Sequence, residues 1–200
     1  QSSTMALMAA HGEITPMPDC AIFANTGNES QATYKYLDWL ETQLPFTLYR
    51  VENGNIYTDF MQGLTWKTRI DQAPFFTDTG RLIRACTQKY KLTPLRRKAR
   101  ELADITGKPC KELCLIWWQG ISTDEIQRAH MSTEPWQEYR YPLLDLRMSR
   151  NDCLAWVDKH GYPQPPRSAC LVCPNRSDFE WQLLKTAGGK DWDQLINFNE

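Results

Sequence analysis

Two cysteines separated by two residues, Cys170-Leu-Val-Cys173, are the sharpest chemical signal in this chain. That spacing lets both thiolates reach one metal ion from a tight turn, which Pro174 stiffens. One pair is half a site. Cys86, in Arg84-Ala-Cys-Thr-Gln-Lys-Tyr-Lys91, sits among cations that favour its thiolate form and is the third candidate ligand. Cys153 is the fourth, although its spacing equally suits a buried helix face. Cys20, Cys110 and Cys114 lie in or beside apolar runs and read as core residues, and His11, His130 and His160 stand near turns with no partner spacing, so they are given no role.

A second set of residues suits anions. Hydroxyls at Ser2, Ser3 and Thr4, with Gln1, open a helical pattern whose free amides could cradle a phosphate, although these residues alone read more simply as an N-cap. Asn25-Thr26-Gly27-Asn28-Glu29 is a turn after an apolar run. Trp118-Gln-Gly120-Ile-Ser122-Thr-Asp124-Glu125-Ile-Gln-Arg128 places adjacent carboxylates after a strand and a glycine, where they could hold Mg²⁺ against phosphates while Arg128 pairs with a phosphate or sulfate. A plain helix start would also be acidic there. Lys89, Lys91, Arg96, Arg97, Lys98 and Arg100 form a run without an intervening acid, which could track the backbone of tRNA or another nucleic acid with Tyr90 stacked on a base; such runs are more often solvated faces.

The elements that must position these groups follow from periodicity. Ser2 to Ala10 reads as a helix closed by Gly12, and Cys20 to Ala24 as a buried strand. Tyr34, Leu37, Leu40 and Leu44 repeat at helical spacing until Pro45. Phe46 to Val51 and Leu113 to Trp118 are further strands, with a basic helix from Leu95 to Ile105 between them. Strands alternating with helices predict an α/β fold: a Rossmann-like, doubly wound, mainly parallel sheet with helices on both faces. Ser149 and Asp152 open a helix ending at Gly161, and Ser177 with Glu180 opens another that yields to Gly188. The stretch from Glu52 to Gly80 shows no period and reads as loop with one helical turn.

At 42% hydrophobic and 24% charged residues, the chain can bury one substantial core and reads as one domain: a nucleotide-binding part over 1–145 and a helical extension over 146–200 packed on the same core. The formal net charge of -1 conceals the basic run and so says little about partners. No apolar stretch approaches the roughly 20 residues needed to cross a bilayer, and no cleavable leader is visible. An odd count of 7 cysteines including Cys-x-x-Cys favours a reducing compartment, so a soluble, cytoplasmic protein with no membrane partner is expected. The opening on Gln-Ser-Ser-Thr leads us to expect a first strand and glycine-rich loop upstream.

With these pieces in order, the chain resembles the phosphoadenosine-phosphosulfate (PAPS) reductase-like branch of the adenine-nucleotide alpha-hydrolase superfamily, the PP-loop ATP pyrophosphatases. The likeness rests on Gln1-Ser2-Ser3, Ala24-Asn25-Thr26-Gly27-Asn28-Glu29, Arg84-x-Cys86 with Tyr90-Lys91, Gly120-Ile-Ser122-x-Asp124-Glu125 with Arg128, Tyr141-Pro142-Leu143 and Cys170-x-x-Cys173-Pro174. It implies that Gln1, Ser2, Ser3 and Thr4 grip nucleotide phosphates, that Asn25, Thr26 and Gly27 lie beside adenosine, and that Arg84, Lys91 and Arg128 meet anionic groups, with Gly120 and Ser122 lining the site. It further implies ATP, or the sulfonucleotides PAPS and APS, with Mg²⁺; an iron-sulfur cluster or zinc on Cys86, Cys170, Cys173 and Cys153; and a role in sulfur metabolism. Ser2, Asp124 and Arg128 are the implied catalytic residues. The departures also inform. Gln1 stands where the family loop carries Asp, Asn25 where Asp is usual, and no cysteine follows Cys173 to serve as a reductase nucleophile. Adenylation of a substrate for sulfur transfer is therefore the first expectation. A sulfonucleotide reductase helped by thioredoxin or another sulfur donor is the second, and a metal-stapled nucleic-acid-binding domain the third.

Overall fold

Ser2–Ala10 form helix α1, and its buried positions Thr4, Met5, Leu7, Met8 and Ala9 run around the helix rather than along one stripe, as in a helix enclosed by core on several sides. Its last turn closes through the His11 amide on Leu7 O and the Gly12 amide on Ala9 O. The computed structural model describes residues 1–62, 76–77, 80–81, 86–106 and 111–199. In chain order the further elements are β1 (Cys20–Asn25), α2 (Gln31–Gln43), β2 (Thr47–Glu52), α3 (Ile56–Met61), β3 (Phe76–Thr77), β4 (Gly80–Arg81), a π-helical turn (Gln88–Leu92) leading into α4 (Thr93–Leu102), β5 (Leu115–Trp118), a 3₁₀ turn (Thr123–Arg128), β6 (Gln137–Arg140), and α5 (Pro142–Asp145), α6 (Arg150–Lys159), α7 (Asp178–Ala187) and α8 (Gly189–Asn199).

The fold is mixed α/β, as alternation of periods indicates. Among the described residues the strands pair two by two: β1 with β2, β3 with β4, and β5 with β6. The β5–β6 pair is parallel, from Leu115 opposite Gln137 to Trp118 opposite Arg140. Strand β6 was not foreseen, because Gln-Glu-Tyr-Arg has no apolar run; Gln137 is nevertheless buried, and its Oε1 accepts a hydrogen bond from Trp117 Nε1 at 2.7 Å. The aperiodic stretch after Glu52 contains α3, begun by Asn55, whose side chain accepts from the Tyr57 and Thr58 amides. Both foreseen capping boxes are present, Ser149 with Asp152 on α6 and Ser177 with Glu180 on α7. No described helix is long and apolar enough to cross a membrane.

The chain divides into two compact units. The first comprises Gln1–Ala21, Tyr36–Tyr49 and Lys98–Pro166; the second comprises Ile22–Lys35, Arg50–Arg97 and Arg167–Glu200. In the first, α1 packs on α6. Leu7, Leu143 and Val157 are wholly buried there, and each contributes about 1.5–3 kcal/mol by leaving water. In the second, Ile56, Tyr90 and Cys170 form a cluster, while the Phe198 ring of α8 lies 4.5 Å from that of Phe60 and 5.7 Å from that of Tyr57.

Candidate functional site

In the first unit the start of α1 meets the loop that follows β5. Helix α1 is preceded by Gln1 rather than by a serine, and no side chain caps it, so its first amides have no side-chain acceptor. Gln1 instead donates through Nε2 to Ser122 Oγ. Gly120 lies so close to Ser2 that a Cβ placed on it would stand 2.5 Å from Ser2 Oγ and 2.6 Å from Ser2 Cα, so only glycine fits without displacing the helix start. Gln1, Ser2, Gly120 and Ser122, over a hundred positions apart in the chain, are therefore brought together at the carboxyl end of β5, alongside Ser3. Thr4 is wholly buried, and its Oγ1 has no hydrogen-bond partner.

The two acids behave differently from one another. Asp124 accepts through Oδ2 from Ser122 Oγ at 3.2 Å and from the Arg150 amide, so it ties the loop to the first turn of α6. Glu125 holds Arg128 at 2.9 Å within the same 3₁₀ turn, and the Arg128 side chain is exposed. Both carboxylates thus carry local bonds that a cation or a phosphate would have to compete with.

The second unit builds a polar turn that is almost closed to water. Asn25 Oδ1 accepts from the Gly27 amide at 3.0 Å and from Tyr34 Oη at 2.9 Å, two bonds for which an amide oxygen serves as well as a carboxylate. Gly27 has φ +74 and lies directly against the Asn55 side chain, so a side chain at position 27 would be both strained and crowded. Thr26, Asn28 and Glu29 are buried to within 2%. Glu29 Oε1 accepts from Thr26 Oγ1 at 3.2 Å and faces Lys91 Nζ at 3.8 Å, whereas Glu29 Oε2 has no hydrogen-bond partner. Burial pushes the Glu29 carboxyl above its ordinary range, and Lys91, the Thr26 hydroxyl and Arg176 pull it partway back.

Three of the four candidate ligands share this unit. Cys86 and Cys173, both partly buried, pack against the Ile56, Tyr90 and Cys170 cluster. The Cys170–Cys173 turn closes through the Cys173 amide on Cys170 O at 3.1 Å, and the Leu171 amide and Val172 amide bond to Asn28 O and Asn28 Oδ1. Cys170 Sγ donates to Thr26 Oγ1 at 3.1 Å. Its thiol is pushed up to about 11, first by burial and then by the neighbouring Glu29. A thiolate there would need a cation for compensation, although the sulfurs of Cys86, Cys170 and Cys173 do not all come within 4.8 Å of one another. Cys153 belongs to the first unit, 1% exposed on α6, in the core position its spacing equally suited. Arg84 lies outside the described residues.

The basic run is drawn largely into local bonds. Lys89 pairs with Asp59 at 3.4 Å, Lys91 with Glu29, Arg97 donates to Glu52 O at 2.9 Å, and Lys98 holds Glu101 at 2.6 Å. Tyr90 corrects the expectation of base stacking: it is 1% exposed, with its hydroxyl donating to Asp59 Oδ2 at 2.8 Å, because its ring fills the thiol cluster. Glu29 was passed over because an acid in a turn is ordinary; its value comes from burial among residues distant in sequence. Compared with known proteins, the chain matches no family model and no curated protein.

Proposed function

We propose that this chain is an adenine-nucleotide-binding enzyme of the PP-loop ATP pyrophosphatase type, PAPS-reductase-like, built on a Rossmann-like doubly wound sheet and adenylating a substrate for sulfur transfer. The observation that carries this reading is the close approach of Ser2 to Gly120, with Gln1 bonded to Ser122. Two segments that the resemblance assigns to one nucleotide site meet at the carboxyl end of a parallel strand, beside an uncapped helix N-terminus. In the reaction an oxygen of the acceptor attacks the α-phosphorus of ATP, and the bond from that phosphorus to the bridging oxygen breaks. The acceptor's AMP ester and pyrophosphate result, and any proton on the attacking oxygen is lost to solvent. The α1 amides, the Ser2 hydroxyl and Arg128, once it exchanges Glu125 for phosphate, stabilise the charge that develops. Mg²⁺ would come bound to the substrate phosphates rather than in a protein cage, and would supply neutralisation of their charge.

Cys86, Cys170 and Cys173 would hold a zinc ion or an iron-sulfur cluster, which supplies either a structural staple or sulfur chemistry. That same cluster favours one other reading, a thioredoxin-dependent sulfonucleotide reductase, identified by release of sulfite from PAPS or APS. The test of the main reading is release of AMP and pyrophosphate from ATP. Ser2→Ala combined with Arg128→Ala, both exposed positions, is expected to abolish release while the circular dichroism stays native. Unchanged turnover in that variant overturns the assignment.

A further inference from the structure

Outside both clusters just described, the first unit gathers two of the chain's 3 histidines around one acid. His11 follows the last turn of α1, Glu13 comes two residues later, and His160 follows the last turn of α6, the helix on which α1 packs. One ligand atom from each of His11, Glu13 and His160 lies within 4.8 Å of the others. We propose that these three residues bind a divalent transition metal ion of the zinc class through two imidazoles and one carboxylate.

Three independent features favour a metal over a chance meeting. The first is orientation of the donors. His160 Nδ1 lies 2.8 Å from Trp156 O, and its donation to that carbonyl fixes the tautomer that leaves Nε2 with its lone pair; Nε2 is the atom 3.9 Å from Glu13 Oε1. His11 Nε2 lies 2.7 Å from Tyr162 Oη, and a proton donated along that bond leaves Nδ1 with its lone pair. Glu13 is oriented as well, since Trp156 Nε1 donates to Oε2 at 2.9 Å and to Oε1 at 3.1 Å. Each of the three residues therefore has an orienting hydrogen-bond partner of the kind that surrounds metal ligands.

The second feature is electrostatic. His11 and His160 each follow a helix end, where unpaired carbonyls and the helix dipole place partial negative charge. A cation is favoured at such a position. The third is rigidity. The Trp156 ring stacks on His160 at 3.9 Å between centroids, and His11 meets the edges of Trp156 at 5.4 Å and Tyr162 at 5.9 Å. Trp39 packs on Tyr162 at 5.4 Å, so the rings that frame the site are themselves held.

The donor chemistry selects the ion. Imidazole with one carboxylate suits Zn²⁺, Ni²⁺, Cu²⁺ or Fe²⁺ and does not suit the all-oxygen preferences of Mg²⁺ or Ca²⁺. Three protein ligands leave a fourth position open to water or to a substrate atom. The Glu13 side chain is 39% exposed and that of His160 is 23% exposed, so an ion can reach the donors from solvent.

The probe is Zn²⁺ added to the chelator-treated full chain, followed by the imidazole proton resonances. His130, which the site does not use, serves as internal reference. The expected result is that the His11 and His160 signals shift together and saturate while His130 stays put, so that zinc taken by the cysteines cannot be mistaken for this site. Absence of any shift at His11 and His160 in the presence of excess Zn²⁺, or equal shifts at all three histidines, overturns the proposal. Tyr162→Phe should weaken zinc binding by about 10–100-fold through loss of an orienting bond, and His160→Gln by more. Zinc affinity unaltered by His160→Gln also overturns it. The wild-type titration decides the matter even where that variant fails to fold.

Discussion

Replacing Lys91 by Met should make the stability of this protein depend on pH in a way that Glu29 alone dictates. In the metal-free wild type, the Glu29 carboxylate is wholly buried and, among the described residues, forms its ion pair with Lys91 Nζ at 3.8 Å, with Arg176 a weaker influence. Removing that cation does not force a bare charge to stay buried, because the carboxyl can take up a proton instead. The loss is therefore limited by the cost of protonating a glutamate from its ordinary value of 4.5. At pH 7 that is two and a half pH units, each worth about 1.36 kcal/mol, or at most about 3.4 kcal/mol. Because the wild-type carboxyl is itself raised by burial, the measured loss should fall below that ceiling, at about 1–3 kcal/mol. The sign follows from proton counts. A native state that holds a proton the unfolded chain has released loses stability as pH rises, so the penalty should grow from near zero around pH 4.5 towards neutrality. Urea unfolding of wild type, Lys91→Met, Glu29→Gln and the double variant between pH 5 and 8 reads this directly. The double variant should lose the pH dependence that Lys91→Met introduces. A Lys91→Met penalty equal at pH 5 and pH 7, or one that persists undiminished in the double variant, would refute the reasoning.

Two further outcomes concern the other candidate groups. Gly120→Ala drives a methyl group to within 2.6 Å of Ser2 Cα, a backbone atom that cannot simply rotate away. A cost of about 1–3 kcal/mol is expected from overpacking, seen as a lower melting temperature by roughly 2–4 °C per kcal/mol, together with weaker ATP binding; unchanged melting and affinity would show that the two segments are not in contact. The Cys170 thiol, raised from 9.0 to about 11, carries about 100-fold less thiolate near neutral pH than an unperturbed cysteine. Mass-mapped alkylation at pH 8 should modify it at least that much more slowly in the folded metal-free protein than in urea. Equal rates would mean that Cys170 is not buried as described. The same shift means that the stability held by the protonated thiol is present below pH 9 and drains away as pH rises through about 11.

What the sequence made legible were features written in short-range spacing. The Ser149–Asp152 and Ser177–Glu180 boxes, the Pro45 stop after α2 and the apolar run of β1 are each local, and each stands where its spacing placed it. Cys86 and Cys173 pack against the cluster that contains Cys170, a shared packing that no local spacing between Cys86 and Cys170 could show. Strand β6 and helix α8 were missed for opposite reasons. In β6 a polar segment is held by pairing with β5 rather than by its own pattern; α8 begins directly at Gly189, where two glycines suggested an end. The His11, Glu13 and His160 group was invisible because its halves follow the ends of different helices, and only the packing of α1 on α6 unites them.

The second unit also shows why a buried polar turn argues for more than folding. Asn28 Nδ2, Glu29 Oε2 and Arg176 Nε are all buried without hydrogen-bond partners, and each such atom costs about 1–3 kcal/mol. They occur on one turn and on the Ala169–Arg176 segment bonded to it, since Asn28 accepts the Leu171 and Val172 amides and Arg176 Nη2 donates to Ala169 O and Cys170 O. A turn serving only the fold could fill the same volume with apolar side chains and avoid the cost. Concentration of unmet donors and an unmet acceptor around paired thiols is the arrangement expected where a ligand completes the bonding, because natural sequences depart from local consistency chiefly at functional sites. Glu29 is the most informative of these groups. Its charge adds to burial in disfavouring the neighbouring thiolate of Cys170, while Lys91 favours both anions and Arg176 favours that of Glu29. Were a metal to bind the proposed cysteine site, its uptake would release the Cys170 proton, so binding there would strengthen as pH rises.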